Sequence, residues 1–352
     1  MKTIGEHLPS PRRIKKLFPL SFSDLQFVER NRLIAQNIIA GKDPRKAIVV
    51  GPCSIHDRKS TLEYAMRFKE LSERVAESCF LVMRVYIEKP RTITGWKGLI
   101  YDPFLDNSDD MSTGLVWARQ LLTELTQMGV PIATEFVDPL AGLYFQDLIS
   151  WGFIGARTSA SQPHRQFASS LQCPMGFKNS TDGNIDDAIH GIISTQVPHV
   201  FMNIDEDGIL SKIRSQGNSS SHIVLRGSQG APNYDSDSVF FAMERLKTFK
   251  LLPRLMIDCA HGNSQKHFER QPEVFQMILE QIERGNTNIF GLMLESHLRE
   301  GSQMMSDPSC LEYAVSITDA CINWSTTEEL IYEASDQSRL KIRMERRQSL
   351  RD

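Results

Sequence analysis

The chain predicts an α/β fold of the (β/α)8 TIM-barrel class, and three observations carry that expectation. Eight short apolar runs recur between residues 46 and 325. Helix-like sequence separates most of them. Each run ends at or near a charged or chemically reactive side chain. Parallel strands covered on both faces read as continuous apolar runs, so charge is expected only where a strand emerges. Eight β/α units in about 250 residues is the count that closes such a barrel, whose functional residues gather at the carboxyl ends of the strands.

The stretch Trp151 to Gly183 displays the grammar most clearly. Two apolar runs stop at Arg157 and Lys178, each followed by a loop rich in Ser, Thr, Asn and Gly, with a helix-like run over 166–171 between them. That is a βαβ unit. The other expected strands are AIVVGPCS (47–54), ending by Cys53; FLVMRVY (80–86), carrying Arg84; and PIATEF (131–136), ending near Glu135. HIVLRG (222–227) ends at Arg226, RLMIDCAH (254–261) at Asp258 and His261, and IFGLMLES (289–296) at Glu295. Helices are expected over 61–76, 115–128, 238–248 and 272–283.

Three segments fall outside this rhythm. Residues 1–45 form an N-terminal arm. Pro9, Pro11 and Pro19 break its opening, and Ser23 to Ile39 then reads as an amphipathic helix stopped by Gly41. The arm is expected to lie on the barrel or on a partner subunit. Short strands around Asp205 to Gly208 read as a β-hairpin, about 199–214, inserted before strand six. Thr326 to Glu329 matches a capping box, so residues 326–352 are expected to be a C-terminal helix with a solvated basic tail from Leu340.

Composition narrows the function classes. Net charge is −3, which gives no general attraction to nucleic acid or anionic membrane. No apolar run reaches the 18 or so residues of a membrane span. The six cysteines form no CxxC pair, and the start lacks an apolar leader, so reduced thiols and a cytoplasmic setting are expected. No Walker A loop, GxGxxG, HExxH or GxSxG element is present.

Two chemical groups stand out. Arg84, Lys89, Arg91, Arg157, Lys178 and Arg226 would aim several cations into one mouth. Such a cluster needs acidic neighbours or an anionic ligand bearing phosphate or carboxylate. The plainer alternative is that these cations pair with Glu135, Asp138 and Asp258. Cys53, His261, Glu295 and Asp319 form the second group, a donor set suited to one divalent transition metal ion: Mn, Fe, Co or Zn. Their spacing is not a local metal motif, and an inert buried Cys53 is the plainer reading. The polar loop from Glu88 through Gly98 can close over a phosphate.

With these residues in view, the chain resembles the type I 3-deoxy-D-arabino-heptulosonate 7-phosphate (DAHP) synthases. The resemblance lies in GPCSIHD (51–57), RVYIEKPRTITGWKGLIYDP (84–103), IGARTSASQPHRQFAS (154–169) and GFKNSTDG (176–183). It continues through VLRG (224–227), DCAHGNSQK (258–266), LESHLREGSQ (294–303) and SITDACINW (316–324). The resemblance implies condensation of phosphoenolpyruvate with erythrose 4-phosphate, the first step of the shikimate pathway. It implies that Arg84, Lys89, Arg157, Lys178 and Arg226 hold phosphoenolpyruvate and that Arg91 and Thr92 hold the phosphate of erythrose 4-phosphate. It places Cys53, His261, Glu295 and Asp319 on the family's metal ligands, and Lys89 becomes a candidate proton donor. A homodimer or homotetramer is expected.

Some positions depart from the family's pattern. Ala160 and Pro163 replace Glu and Val or Thr, and Ala314 and Asn323 stand where Gly is common. The arm before Leu8 is short, and Gln172 and Asn203 are bulkier than is usual where relatives bind an aromatic amino acid. Weak or altered feedback control is therefore expected. Two other readings are a barrel that binds without catalysing and a sister enzyme acting on another sugar phosphate, such as arabinose 5-phosphate.

Overall fold

In the computed structural model, residue 5, residues 7–91 and residues 93–349 are described, with side chains described as far as 338. Thr92 and the side chains of the basic tail lie outside the described residues. The chain begins with helices α1 (Pro11–Leu17) and α2 (Phe22–Ile39), then β1 (Lys46–Gly51), α3 (Arg58–Val75), β2 (Cys79–Arg84) and α4 (Met111–Gln127). Next come β3 (Ile132–Glu135), a short α5 (Pro139–Gly142), β4 (Trp151–Ile154), α6 (Gln162–Ala168), β5 (Met175–Lys178) and α7 (Asp186–Thr195). An antiparallel ribbon follows, β6 (Val200–Ile204) and β7 (Leu210–Arg214), then β8 (Ser221–Leu225) and α8 (Ser236–Thr248). The chain finishes with β9 (Leu255–Asp258), α9 (Gln271–Glu283), β10 (Ile289–Glu295) and α10 (Trp324–Ser349).

Eight of these strands close a parallel barrel in the order β1-β10-β9-β8-β5-β4-β3-β2. Its seam pairs Gly51 of β1 with Glu295 of β10 and Val50 of β1 with Met83 of β2. Strand residues alternate between two packed layers. Ile48, Val50, Leu81, Met83, Ile132 and Ile154 join the layer under the helices. Val49, Val82, Phe153, Val224, Met256 and Met293 fill a separate inner cluster. Ala35, Ile38 and Ile39 of α2 belong to that inner cluster, so α2 plugs the end where the strands begin. The plug is pinned by Arg32, whose guanidinium donates to the carbonyls of Ile149 at 2.9 Å and Gln146 at 2.6 Å, just ahead of β4. The open mouth is then the carboxyl end of the strands.

Two local expectations need correction. Residues 326–329 do not open the last helix. It begins at Trp324, because Asn323 is the residue free to cap: its Oδ1 accepts the Thr326 N–H at 2.9 Å while its Nδ2 donates to Glu300. That helix also runs on to Ser349, through the stretch expected to be tail. Several strands stop sooner than the apolar runs suggest, so Arg157 and His261 each stand three residues beyond a strand end, in turns. Ala314, where the resemblance leads one to expect Gly, has φ +62°. A Cβ in that left-handed region costs about 1–2 kcal/mol, which explains why glycine suits the place.

Within the barrel, His222 is wholly buried among Trp151, Phe153 and Phe290. Its Nε2 accepts the Trp151 indole N–H at 2.9 Å, which places the ring proton on Nδ1, 3.1 Å from the Ile223 carbonyl. Burial lowers its pKa from 6.5 to about 4. The folded state therefore binds fewer protons than the unfolded state between those values. The neutral ring contributes its full stabilisation above pH 6.5 and loses it as pH falls towards 4, a linkage worth about 2–3 kcal/mol. Between pH 7 and 4 the unfolding free energy of wild type should fall by about 2–3 kcal/mol more than that of His222→Asn; parallel curves would contradict the assignment.

Candidate active site

The strand ends deliver charge to one cavity of about 550 Å³. Arg84, Glu135, Lys178, Asp258 and Glu295 are the last residues of their strands, and Arg226 directly follows β8. All are buried, and they neutralise one another in sequence. Lys178 Nζ lies 3.1 Å from Asp258 and 3.9 Å from Glu135. Asp258 lies 3.0 Å from His261 Nδ1, and His261 Nε2 lies 3.6 Å from Glu295. Glu295 in turn accepts from Arg84 at 2.8 Å. Burial alone would raise the Asp258 carboxyl, but His261 and Lys178 outweigh it and hold it well below the usual carboxylate range. At Gly155 a Cβ would press on the Glu135 carboxylate and force it to shift.

Arg84 is aimed by three further contacts. It donates to the carbonyls of Pro52 at 3.2 Å and Cys53 at 3.3 Å, and its guanidinium stacks 3.6 Å from the centre of the Tyr86 ring. The Arg226 backbone N–H donates to Asn179 Oδ1 at 2.8 Å, and its guanidinium reaches the Gly227 carbonyl at 3.2 Å. Burial lowers the Arg226 pKa, with Arg157 adding like-charge repulsion. Arg157 and Arg91 line the same cavity. Of the pairing expected in the plainer alternative, Asp258 and Glu135 do neutralise Lys178. Asp138 instead caps α5 through the Leu140 N–H.

The second group gathers beside the first. Donor atoms of Cys53, Glu295 and Asp319 lie within 4.8 Å of one another. His261 adjoins this trio through Glu295 and has φ +58°, a strained backbone of the kind found at functional sites. The Lys89 ammonium sits 2.7 Å from the Cys53 sulfur and 2.9 Å from Asp319 Oδ2. Burial and then Glu295 push the Cys53 thiol up to about 11. The Lys89 charge holds Asp319 well below the usual range. Burial would discharge Lys89, but Cys53 and Asp319 outweigh it and keep its pKa raised. A thiol and two carboxylates around a spot that already accommodates a cation, with the His261 ring nitrogen bordering them at Glu295, fit a transition ion.

The loop bearing Lys89 is tied down by a residue that sequence reading left without a role. Glu88 is buried and accepts from the Val137 and Asp138 N–H groups at 3.3 and 3.2 Å and from the Tyr101 hydroxyl at 3.1 Å. Burial, then Asp138, raise its carboxyl to about 8. Tyr86 was likewise hidden inside an apolar run; no spacing signal marks it. Asn179, which aligns Arg226, could have been suspected only from its place directly after a strand-end Lys.

Removing one member of a buried pair leaves the other charge uncompensated. Asp258→Asn strips Lys178 of its closest carboxylate and should destabilise the protein by about 3–5 kcal/mol in denaturant unfolding. A loss below about 1 kcal/mol would show that the pair is not needed.

Comparison with known proteins identifies the family and the shared fold. The family model described as DAHP synthetase I family matches residues 24–331. The Salmonella typhimurium protein "Phospho-2-dehydro-3-deoxyheptonate aldolase, Tyr-sensitive" is 49% identical over 327 residues, 93% of this chain and 92% of the relative. The same organism's Trp-sensitive counterpart is 44% identical over 326 residues, 93% of each chain. The solved phospho-2-dehydro-3-deoxyheptonate aldolase from Francisella tularensis SCHU S4 superposes with a TM-score of 0.94 at 40% identity, over 96% of this chain and 99% of that one. With the family matched across most of its length and the barrel shared, this chain belongs to the DAHP synthetase I family.

Proposed function

We infer that the protein condenses phosphoenolpyruvate with D-erythrose 4-phosphate and water, giving 3-deoxy-D-arabino-heptulosonate 7-phosphate and phosphate. This is the first step towards chorismate and the aromatic amino acids. The observation that supports it most is the meeting, around one cavity, of Arg84, Lys89, Arg157, Lys178 and Arg226 with Cys53, His261, Glu295 and Asp319.

In this reading Arg84, Lys89, Arg157, Lys178 and Arg226 hold phosphoenolpyruvate, and Arg91 with Thr92 holds the second phosphate. Two anions that repel one another in water are thereby oriented for reaction, an advantage of proximity. Lys178 and Arg84 are braced by Asp258 and Glu295, so their positions are fixed before substrate arrives. The enol carbon attacks the aldehyde carbon to form the new C–C bond. Water adds to the cationic carbon left behind, and phosphate departs with C–O cleavage. Lys89, kept protonated by its acidic neighbours, has a proton at Nζ to give to the new alkoxide. A divalent transition ion (Mn, Fe, Co or Zn) held by Cys53, His261, Glu295 and Asp319 would supply Lewis acidity towards the aldehyde oxygen.

The protein is read as a cytoplasmic homodimer or homotetramer with no nucleic-acid or membrane partner. Among the described residues, no helix is long and apolar enough to cross a membrane. The four-carbon sugar is preferred over arabinose 5-phosphate on the strength of the Lys89 to Thr92 sequence and the relatives' names. Feedback control is read as weak or altered. The cleft lined by Glu29, Gln36, Gln172, Ile204 and Arg214 is the candidate effector site, and Gln172 there is tied to Arg32 at 3.2 Å.

Phosphate release should require both substrates, fall to background with a chelator, and return when Mn, Fe, Co or Zn is restored. Chelator-insensitive turnover would contradict the metal assignment, and release independent of erythrose 4-phosphate would contradict the substrate assignment. Titration with Phe, Tyr and Trp should leave most activity at concentrations that saturate a feedback-sensitive relative; strong inhibition by any of the three would refute weak control.

A further inference from the structure

We propose that Tyr86 is a substrate-contacting residue whose phenolic hydroxyl donates a hydrogen bond to an anionic oxygen of bound phosphoenolpyruvate. The inference rests on the reaction proposed above and adds a donor to its site. Tyr86 follows β2, is 1% exposed, and borders the same cavity as Arg157, Lys178 and Arg226. Its ring is held on one side by the Arg84 guanidinium at 3.6 Å from the ring centre, with Lys178 Nζ at 5.9 Å. Its hydroxyl has no protein partner within hydrogen-bond distance.

A fully buried hydroxyl without a partner costs the resting protein free energy that phenylalanine would not. The ring alone supplies the contact with Arg84, so packing does not explain the oxygen. The neighbouring carboxylates are drawn towards cations, although Asp258 Oδ2 makes no hydrogen bond there. Glu135 and Asp258 face Lys178, and Asp258 also faces His261. Burial, reinforced by Glu135, Asp258 and Glu295 against Arg84, raises the phenol well above its ordinary range. The group therefore stays protonated and acts as a donor, not a base. The acceptor that suits it is an anionic oxygen, and the surrounding cations are arranged to bring one. Arg91, on the loop above, answers the other phosphate; Tyr86 sits with Arg84 and Lys178 among the residues assigned to phosphoenolpyruvate.

The test uses the full-length, metal-loaded protein and its Tyr86→Phe variant. Binding of phosphoenolpyruvate alone is followed by calorimetry, and stability without substrate by denaturant midpoint. Tyr86→Phe should weaken phosphoenolpyruvate binding about tenfold or more, a change of about 1.4 kcal/mol. Unliganded stability should be equal or higher, and KM for erythrose 4-phosphate should stay within about twofold. A phosphoenolpyruvate Kd within about twofold of wild type would overturn the proposal. So would a variant that fails to fold or loses stability in step with affinity, since the hydroxyl would then have a structural partner. Tyr86→Leu, which also removes the ring, should lower unliganded stability and so separates ring from hydroxyl. Failure of wild type to bind phosphoenolpyruvate would overturn the proposed reaction and this assignment with it, whereas equal binding by wild type and Tyr86→Phe would overturn this assignment alone.

Discussion

The structure turns on one electrostatic constraint: several cations are buried at the carboxyl end of a barrel, where water cannot screen them. An isolated buried charge is untenable, so each must be compensated. The solution is a relay of alternating groups, Lys178, Asp258, His261, Glu295 and Arg84, with each link between 2.8 and 3.6 Å. A further cation, Lys89, bridges Cys53 and Asp319 beside it. The relay is balanced but not saturated. Arg157 and Arg226 line the same cavity and add positive charge to it, which favours an anion there.

That constraint explains why the scaffold is a barrel closed at one end. Parallel strands end together, so side chains at or just beyond the ends of β2, β3, β5, β8, β9 and β10 reach one space although they are far apart in sequence. Helix α2 fills the opposite end with Ala35, Ile38 and Ile39 and excludes water from below. The inner cluster of Val49, Val82, Phe153 and Met293 forms the dry floor on which the charges stand. Low polarity beneath them strengthens every attraction above.

Much of this was legible in the sequence because it follows from periodicity. Runs such as FLVMR and MGFK can be only short buried strands, and the Arg or Lys that ends each has one place to go. The family's strings then brought Cys53 and Asp319 together across 266 positions, which no local spacing could do. What stayed illegible depends on three-dimensional pairing. Glu88 sits in a charged loop, and nothing in its neighbours announces that it buries itself against Val137 and Asp138. Tyr86 reads as one more apolar strand residue. The start of the last helix was misplaced because a Thr-to-Glu capping pattern at 326–329 competes with Asn323, and only the contact with Glu300 decides between them.

The claim at the centre is that thiolate, imidazole and carboxylates from four segments share one ion next to the anion-binding cations. X-ray anomalous scattering at the manganese edge, from crystals grown with Mn²⁺ and phosphoenolpyruvate, tests it most directly. The account predicts one strong peak in bonding contact with Cys53, His261, Glu295 and Asp319, and phosphoryl density against Arg157, Lys178 and Arg226. A peak held by other residues, or a phosphoryl group away from those three cations, would contradict it.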